Sequence, residues 1–299
     1  MLNIELSDSQ IYITEELNPT LGNINGDFLV RFWGVRGLIP TPSSSTTRYG
    51  GNTACVEMYV AGQRLIFDGG TGLRVLGKTY QQQQPLTANL FFTNSQSNRI
   101  QGFPFFAPAF SPENSFYIYG ISASNGASIK QYLCDQMLQP YFPYPLQRMK
   151  SQMEFCNLTP GKIVELNDIK ITTALINKNQ RSVGYRIDWQ EYSVAYTTDL
   201  HDNLDLDEER ETLKLIQDVD LLIANATYNP PTSYNHESAE LLWKIAVDLA
   251  HRGSVKKLVI THHHPDDHDD FLDKIQDEVN TAFPDALVAR EGMVFYLNS

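Results

Sequence analysis

Thr93-Asn94-Ser95-Gln96-Ser97-Asn98-Arg99-Ile100-Gln101-Gly102 decides how the rest of the chain is read. It follows an apolar run at 86–92 that reads as a strand, and it leads into Gly102-Phe103-Pro104-Phe105-Phe106. A polar turn held between two buried segments is where a rigid fold presents its chemistry. This one is built of amides, hydroxyls and one guanidinium, with no histidine and no carboxylate.

Outward from it, short apolar runs alternate with polar turns. Residues 29–35, 55–60 and 64–67 read as strands, with Ala61-Gly62-Gln63 as a tight hairpin between the last two. Residues 36–52 form a loop rich in Pro, Ser, Thr and Gly. Asp68-Gly69-Gly70-Thr71-Gly72 turns the chain into a short helix over 73–80, and the glutamine run 81–84 is too short to divide domains. Toward the C-terminus, 116–119 reads as a strand and 124–137 as a helix. Pro140-Tyr141-Phe142-Pro143-Tyr144-Pro145 cannot be helical. Residues 161–166, 169–176, 183–189 and 192–197 read as strands joined by short turns, hence as antiparallel neighbours. A helix over 204–217, a buried strand over 219–224 and an amphipathic helix over 238–252 stopped by Gly253 come next. A strand at 257–260, a helix over 267–282 and a last strand or hairpin at 287–297 complete the chain. Strand pairs come in two batches, each followed by helices, and no linker interrupts them. That order predicts an α/β fold: two sheets face to face with helices outside, an αββα sandwich in a single domain over 29–299. Residues 1–28 read as an N-terminal extension or edge element.

Composition narrows the function. Hydrophobic residues make up 42% of the 299, enough for a sizeable core. No apolar run reaches the roughly 20 residues that span a membrane, and Met1-Leu2-Asn3-Ile4-Glu5 does not resemble a secretory signal. Cys55, Cys134 and Cys156 give neither a disulfide framework nor a C-x-x-C knuckle, so free thiols in a reducing cytoplasm are expected. The net charge of −12 and the scattered Lys and Arg argue against a dedicated nucleic-acid coat, though a local anion pocket is compatible with them.

Several segments now act together. They are Phe32-Trp33-Gly34-Val35-Arg36-Gly37, Arg48-Tyr49-Gly50-Gly51-Asn52-Thr53-Ala54-Cys55, Phe67-Asp68-Gly69-Gly70-Thr71-Gly72 and Ile100-Gln101-Gly102-Phe103-Pro104-Phe105. Gly184-Tyr185-Arg186-Ile187, Tyr196-Thr197-Thr198-Asp199 and Thr261-His262-His263 with Asp269-Asp270-Phe271-Leu272 follow. In this order the set resembles the metallo-β-lactamase superfamily of metallohydrolases, nearest its ribonuclease Z-like and phosphodiesterase-like branch. The resemblance implies a four-layer αββα sandwich with two divalent metals, usually zinc, between the sheets. They would activate a water, its pKa lowered to about 7, for attack on a phosphodiester or other ester. It also implies a homodimer.

The family draws its ligands from H-x-H-x-D-H after an early strand, a His on a mid-chain loop, a bridging Asp and a final T-H. Carried over, the first motif becomes Asn94, Gln96, Asn98 and Arg99, and the mid-chain His becomes Lys178. Asp199 and His262 alone keep a ligand's chemistry, with Asp68 in a supporting position. All seven histidines, His201, His236, His251, His262, His263, His264 and His268, lie after residue 200, so no shift of register restores an early cluster. Amides are poor zinc ligands and protonated cations cannot serve. Arg99 or Lys178 would instead pair with Asp199, which unpaired would be a costly buried charge.

Plainer readings stand beside these. Asp68 reads equally as a turn and N-cap aspartate. His262, His263, His264 and His268 with Asp266, Asp267, Asp269 and Asp270 resemble a metal cluster, but the family has such a loop here. His236-Glu237-Ser238 reads as a helix N-terminus. The aromatics Phe103, Phe105, Phe106, Phe110, Tyr141, Phe142 and Tyr144 read as core or dimer contact first and as a base-stacking platform second. The expectation is a non-catalytic member of the fold without a metal cofactor, acting in ligand binding, regulation or assembly. Arg99, Lys178 and Arg181 would hold an anionic or phosphate-bearing ligand. The alternatives are a residual phosphodiesterase-like hydrolase with zinc or manganese at Asp199 and His262, and a protein-interaction partner with an inert cleft.

Overall fold

The computed structural model describes residues 11–14, 28–80, 85–201, 204–225 and 236–297, with side chains for 28–80, 85–201, 204–225 and 243–297. In chain order the first elements are β1 (Ile11–Thr14), β2 (Phe28–Gly34), β3 (Cys55–Val60), β4 (Gln63–Phe67), α1 (Thr71–Thr79), β5 (Thr87–Phe91) and α2 (Ser97–Ile100). Next come β6 (Ser115–Gly120), α3 (Ile129–Asp135), β7 (Gln152–Asn157), β8 (Ile163–Leu166), β9 (Ile169–Asn177), β10 (Ser182–Trp189) and β11 (Tyr192–Thr197). The chain continues with α4 (Leu206–Ile216), β12 (Leu221–Asn225), α5 (His236–Arg252), β13 (Lys257–Thr261), α6 (Asp269–Ala282), β14 (Leu287–Val288) and β15 (Val294–Leu297).

Among the described residues the strands form two sheets. One has the order β1-β15-β2-β3-β4-β5-β6-β7, the other β14-β13-β12-β11-β10-β9-β8. Each is antiparallel on one side and parallel on the other. The parallel runs are β4 to β7 in the first sheet and β11 to β14 in the second. Open sheets offer their ligand sites at the carboxyl ends of parallel strands, and both runs deliver theirs to the same place.

The alternation of residues along the strands explains the layers. Strands apolar on both faces must be covered on both. Val30, Phe67, Phe91, Tyr185, Tyr196 and Ile223 point into the core between the sheets. Ala195, Leu222, Ala224 and Ile260 pack beneath α4, α5 and α6, while Ile66, Ala88, Leu90 and Ile118 pack beneath α1 and α3. Between the sheets Phe91 stacks on Phe67 at 5.3 Å and on Tyr119 at 4.6 Å, and burying each such ring contributes about 2–3 kcal/mol. The αββα sandwich in one domain is therefore the fold observed.

Several expectations need adjustment. The polar turn after β5 contains a short helix, α2, instead of only a loop. The expected helix at 124–137 shrinks to Ile129–Asp135, because Ser128 caps it by accepting from Gln131 N at 3.2 Å. The strand β7 was not anticipated. Its residues alternate weakly because it lies at an edge, held only by parallel pairing to β6. The last segment is not a hairpin: β14 joins the second sheet and β15 the first, so the chain crosses between layers there. The hairpin at Ala61 and Gly62 is as expected, both residues having positive φ (47° and 81°). Strand β1 pairs with β15 at the edge of the first sheet. Among the described residues no helix is long and apolar enough to cross a membrane.

Candidate functional site

The site lies where the two parallel runs end. Asp68 follows β4, Asn94 and Arg99 follow β5, Asp199 follows β11 and His262 follows β13. Asp68, Asn94, Arg99, Asp199 and His262 are each 2% exposed.

Glycines make the approach of Asp68 and Arg99 possible. Gly69 N donates to Arg99 O at 2.5 Å, and Gly102 N donates to Gly69 O at 2.8 Å. These bonds zip the Asp68-Gly69-Gly70 strip to the turn after β5. A Cβ on Gly102 would lie 1.8 Å from Gly70 O, so no other residue fits there. Asp68 and His262 both adopt left-handed backbone, with φ of 60° and 58°. For residues other than glycine such conformations cost of order 1–3 kcal/mol each and cluster at functional sites.

Arg99 is the hub. Its Nη2 donates to Asp199 Oδ1 at 2.7 Å and to Thr198 O at 2.8 Å. Its Nη1 lies 3.1 Å from Asp68 Oδ2, 3.2 Å from Thr198 Oγ1 and 2.7 Å from His262 Nε2. A guanidinium only donates, so His262 Nε2 accepts, and its Nδ1 carries the proton and faces Thr198 O at 3.2 Å. The second oxygen of Asp199 accepts from the Asn94 amide at 2.8 Å, and that amide also reaches Ser182 Oγ at 2.8 Å. Asp68 accepts from Thr93 N and Oγ1, both at 2.9 Å, and from the Tyr196 hydroxyl at 2.9 Å.

Two carboxylates thus share one guanidinium in a dry interior. Burial alone would lower the guanidinium of Arg99, but the charges of Asp199 and Asp68 outweigh it and hold the guanidinium above its ordinary value. Burial pushes Asp68 up, the charge of Arg99 and the Thr93 bond pull it back, and Asp199 pushes it up again. Burial first, and the Arg99 charge second, hold His262 well below the usual imidazole range, so it is neutral.

The remaining sequence candidates scatter. Gln96 Nε2 donates to Gln180 Oε1 at 2.9 Å, and the Gln96 backbone N–H donates to Asn94 Oδ1 at 2.9 Å. Asn98 is buried in α2. Lys178 does not reach Asp199. Its backbone N–H is held by Glu208 Oε1 at 2.6 Å, and its side chain turns out over the start of α4 to Asp205 Oδ2 at 2.5 Å. Arg181 donates from Nε to Ser122 O at 2.9 Å. The expected anion pocket of Arg99, Lys178 and Arg181 is therefore not assembled, because Arg99 is interior and Lys178 is drawn to α4. Asp68 is not an N-cap either: Gly70 caps α1, with no side-chain bond.

The His- and Asp-rich loop is spent on structure. His263 Nε2 bonds Ala289 O at 2.8 Å, and His264 Nδ1 accepts from Asp266 N at 3.2 Å. His268 caps α6 through Phe271 N at 3.1 Å. The side chain of His236 lies outside the described residues. Tyr196 and Thr198, read only as part of a motif, and Ser182 join the site without having been given a role. The alternation that points Val194 and Tyr196 inward along β11 was the available signal.

Beside the site a second network ties the loop before β3 to the C-terminal segment. The fully buried Arg36 donates to Gly50 O at 2.7 Å and to Asp267 O at 2.6 Å. Glu291 receives Asn52 N at 2.5 Å and Asn52 Nδ2 at 2.9 Å.

The metals that the resemblance implies would find a poor donor set here. The Arg99 guanidinium lies within hydrogen-bonding distance of both carboxylates and the imidazole at once, and Asn94 presents N–H instead of a lone pair to Asp199. Among the described residues no group of three or more His, Cys, Asp and Glu side chains converges to hold an ion. These residues do not fit a divalent cation.

No family model matches the chain, and no curated protein matches it by sequence. Solved structures do match in shape. The metallo-β-lactamase fold protein YhfI from Bacillus subtilis aligns over 91% of this chain and 99% of its own, with TM-score 0.65 and 16% identity. A diphosphatase from the PhnP family aligns over 89% and 96%, with TM-score 0.63 and 15% identity. The short form of human tRNase Z aligns over 91% and 100%, with TM-score 0.59 and 16% identity. Two face-to-face sheets whose parallel halves end at one buried site, followed almost end to end by these structures, make this a chain of the metallo-β-lactamase fold.

Proposed function

We propose that the chain is a non-catalytic protein of this fold, its hydrolytic site replaced by an internal ion network, and that it works by binding, regulation or assembly. The observation that carries this reading is the position of Arg99 between Asp68, Asp199 and His262. Catalytic zinc sites use three protein ligands and an open position for water. Here the two ligand-type side chains left, Asp199 and His262, each spend their inward atoms on Arg99.

The neighbours named as a diphosphatase and as a tRNase Z make a phosphate-bearing ligand the first class to examine. Arg99 is committed within the protein, so such a ligand would have to be met by other groups.

The test is metal analysis of the purified protein together with hydrolysis of bis(p-nitrophenyl) phosphate, with and without added zinc or manganese. The expected outcome is no stoichiometric metal and no turnover above buffer. Zinc or manganese held at one per chain, with cleavage that rises and falls with it, would establish the residual hydrolase instead.

A further inference from the structure

The turn between β6 and α3 carries an asparagine followed by a glycine, a pair whose chemistry depends on how the turn is held. Ser124, Asn125 and Gly126 are all exposed. Gly126 has a φ of 85°, and a Cβ built on it would meet nothing within 4 Å. The peptide joining Asn125 to Gly126 is therefore open to solvent, with no side chain on the glycine to shield it. Among the described residues no other asparagine precedes a glycine. Asn25-Gly26, the second such pair in the sequence, lies outside them.

Hydrogen bonds aim the Asn125 amide. Ala127 N donates to Asn125 Oδ1 at 3.0 Å. An asparagine that bonds its own backbone two residues on closes an Asx turn. That closure folds the side-chain carbonyl carbon back along the main chain, toward the nitrogen of Gly126. The same bond sets a donor on the oxygen that gains negative charge when the carbon is attacked, as the donors of an oxyanion hole do. Gly126 N donates to Ala123 O at 2.9 Å, and Ala123 N donates to Ala127 O at 2.8 Å, so the turn keeps this geometry. An N–H bond lies in the peptide plane, and its engagement leaves the face of the nitrogen uncovered.

The buried asparagines differ on both counts. Asn94, Asn114 and Asn225 give their side-chain amides to Asp199 Oδ2, Pro108 O and Leu200 O. Ser95, Ser115 and Ala226 follow them, and each carries a side chain that hinders attack.

We propose that Asn125 is a site of spontaneous deamidation in the folded chain. The Gly126 nitrogen, its proton given up to hydroxide, attacks Asn125 Cγ. The new C–N bond closes a succinimide. The bond from Cγ to the side-chain nitrogen breaks, and that nitrogen leaves as ammonia with a proton from water. Water then opens the ring at either carbonyl. One opening gives aspartate at 125. The other gives isoaspartate, in which the main chain runs through the former side chain. Both products add one negative charge, and the second lengthens the main chain by one carbon. The change falls between Ser122, whose carbonyl receives Arg181 Nε at 2.9 Å, and Ser128, which caps α3. The proposal is independent of the state of the Arg99 site.

Ageing the full chain in mildly alkaline buffer, followed by peptide mapping, tests it. The expected result is a gain of about one dalton in the peptide bearing residue 125, as an amide becomes a carboxylate. The gain should divide between two separable products of the same mass. An isoaspartyl methyltransferase supplied with labelled S-adenosylmethionine should mark one of them. Asn125→Gln should lose both the mass gain and the label in that peptide. The residue is exposed, so the variant keeps the fold, which the thermal unfolding curve checks. An Asn125 that stays an amide in the folded chain while Asn25 converts overturns the proposal. Conversion at 125 confined to the chain unfolded in urea overturns it too, because the turn would then shield the amide.

Discussion

Arg99 Nη2 donates to Asp199 Oδ1 at 2.7 Å, and that bond joins the two sheets. Arg99 belongs to the turn after β5 of the first sheet, and Asp199 to the turn after β11 of the second. The same guanidinium holds Asp68 on the first sheet and His262 on the second. A side-chain cation thus bridges the two layers at the ends of their parallel strands. It is covalently attached and cannot be removed by dilution or chelation.

Removing that cation leaves two buried carboxylates facing each other. Breaking a buried ion network from one side costs about 3–5 kcal/mol. Arg99→Met should therefore lower the urea midpoint by a corresponding amount. Arg99→Met combined with Asp68→Asn and Asp199→Asn should recover more than half of the loss, since no unpaired charge then remains. If the triple variant is as unstable as the single one, the lost guanidinium acted through packing and not through charge.

Chelation should have no effect on folding. Structural metal stabilises whichever state binds it, in proportion to its concentration over its dissociation constant. On the proposed reading, in which Arg99 takes the place of an ion, EDTA and added zinc should both leave the thermal midpoint of the wild type unchanged. A midpoint that drops on EDTA treatment and returns with zinc would contradict this.

Lys178 supplies a contrast. Its side chain is 43% exposed and its partner Asp205 50% exposed, a setting in which ion pairs contribute little. Lys178→Ala should leave the thermal midpoint where it is, whereas Arg99→Met lowers it. Equal destabilisation by both would mean that Lys178 turns inward to the site in solution.

What could be read in advance follows from the range over which each interaction acts. The strands of both sheets were legible because residues such as Val30, Phe67 and Ile223 alternate within a few positions. The absence of early histidines was legible because it is a count. The pairing of Arg99 with Asp199 was one of two alternatives, and the other, Lys178, failed for a reason local to α4. Glu208 closes a capping box with Asp205 and captures the Lys178 backbone as well, so the side chain faces outward. The Arg36 and Glu291 networks join residues more than 200 positions apart, and no local pattern announces them. The motifs that carried the resemblance, Val35-Arg36-Gly37 and Tyr49-Gly50-Gly51-Asn52, turn out to hold this scaffold.

Gly102 should tolerate no side chain. Its missing Cβ would sit 1.8 Å from Gly70 O, a backbone atom that cannot rotate away. Gly102→Ala should cost at least about 1–3 kcal/mol, the usual range for forced overpacking. Because the shift would part Gly69 from Arg99, it should also speed amide exchange at Gly69. An unchanged exchange rate there would show that the two strips separate without strain.

The buried histidines set the dependence of stability on pH. Burial, then the charge of Arg36, pushes His263 from 6.5 down to about 3, and His262 is also held well below 6.5. Both are neutral in the folded chain. Below about pH 6.5 the unfolded chain takes up protons that the folded chain refuses, so stability falls as the pH is lowered. For His263 the loss continues down to about pH 3. Asp68 works in the opposite direction. Its raised value lets the folded chain hold a proton more tightly than the unfolded one, a stabilisation present in acid and lost as the pH rises through that value. Glu291, raised by burial as well, acts in the same direction as Asp68. The two histidines, one of them held down to about 3, work against these two carboxyls and leave a thermal midpoint that rises toward pH 6.5. His263→Gln keeps a donor for Ala289 O but does not titrate, so it should flatten that rise. An undiminished slope would place the proton uptake on another group.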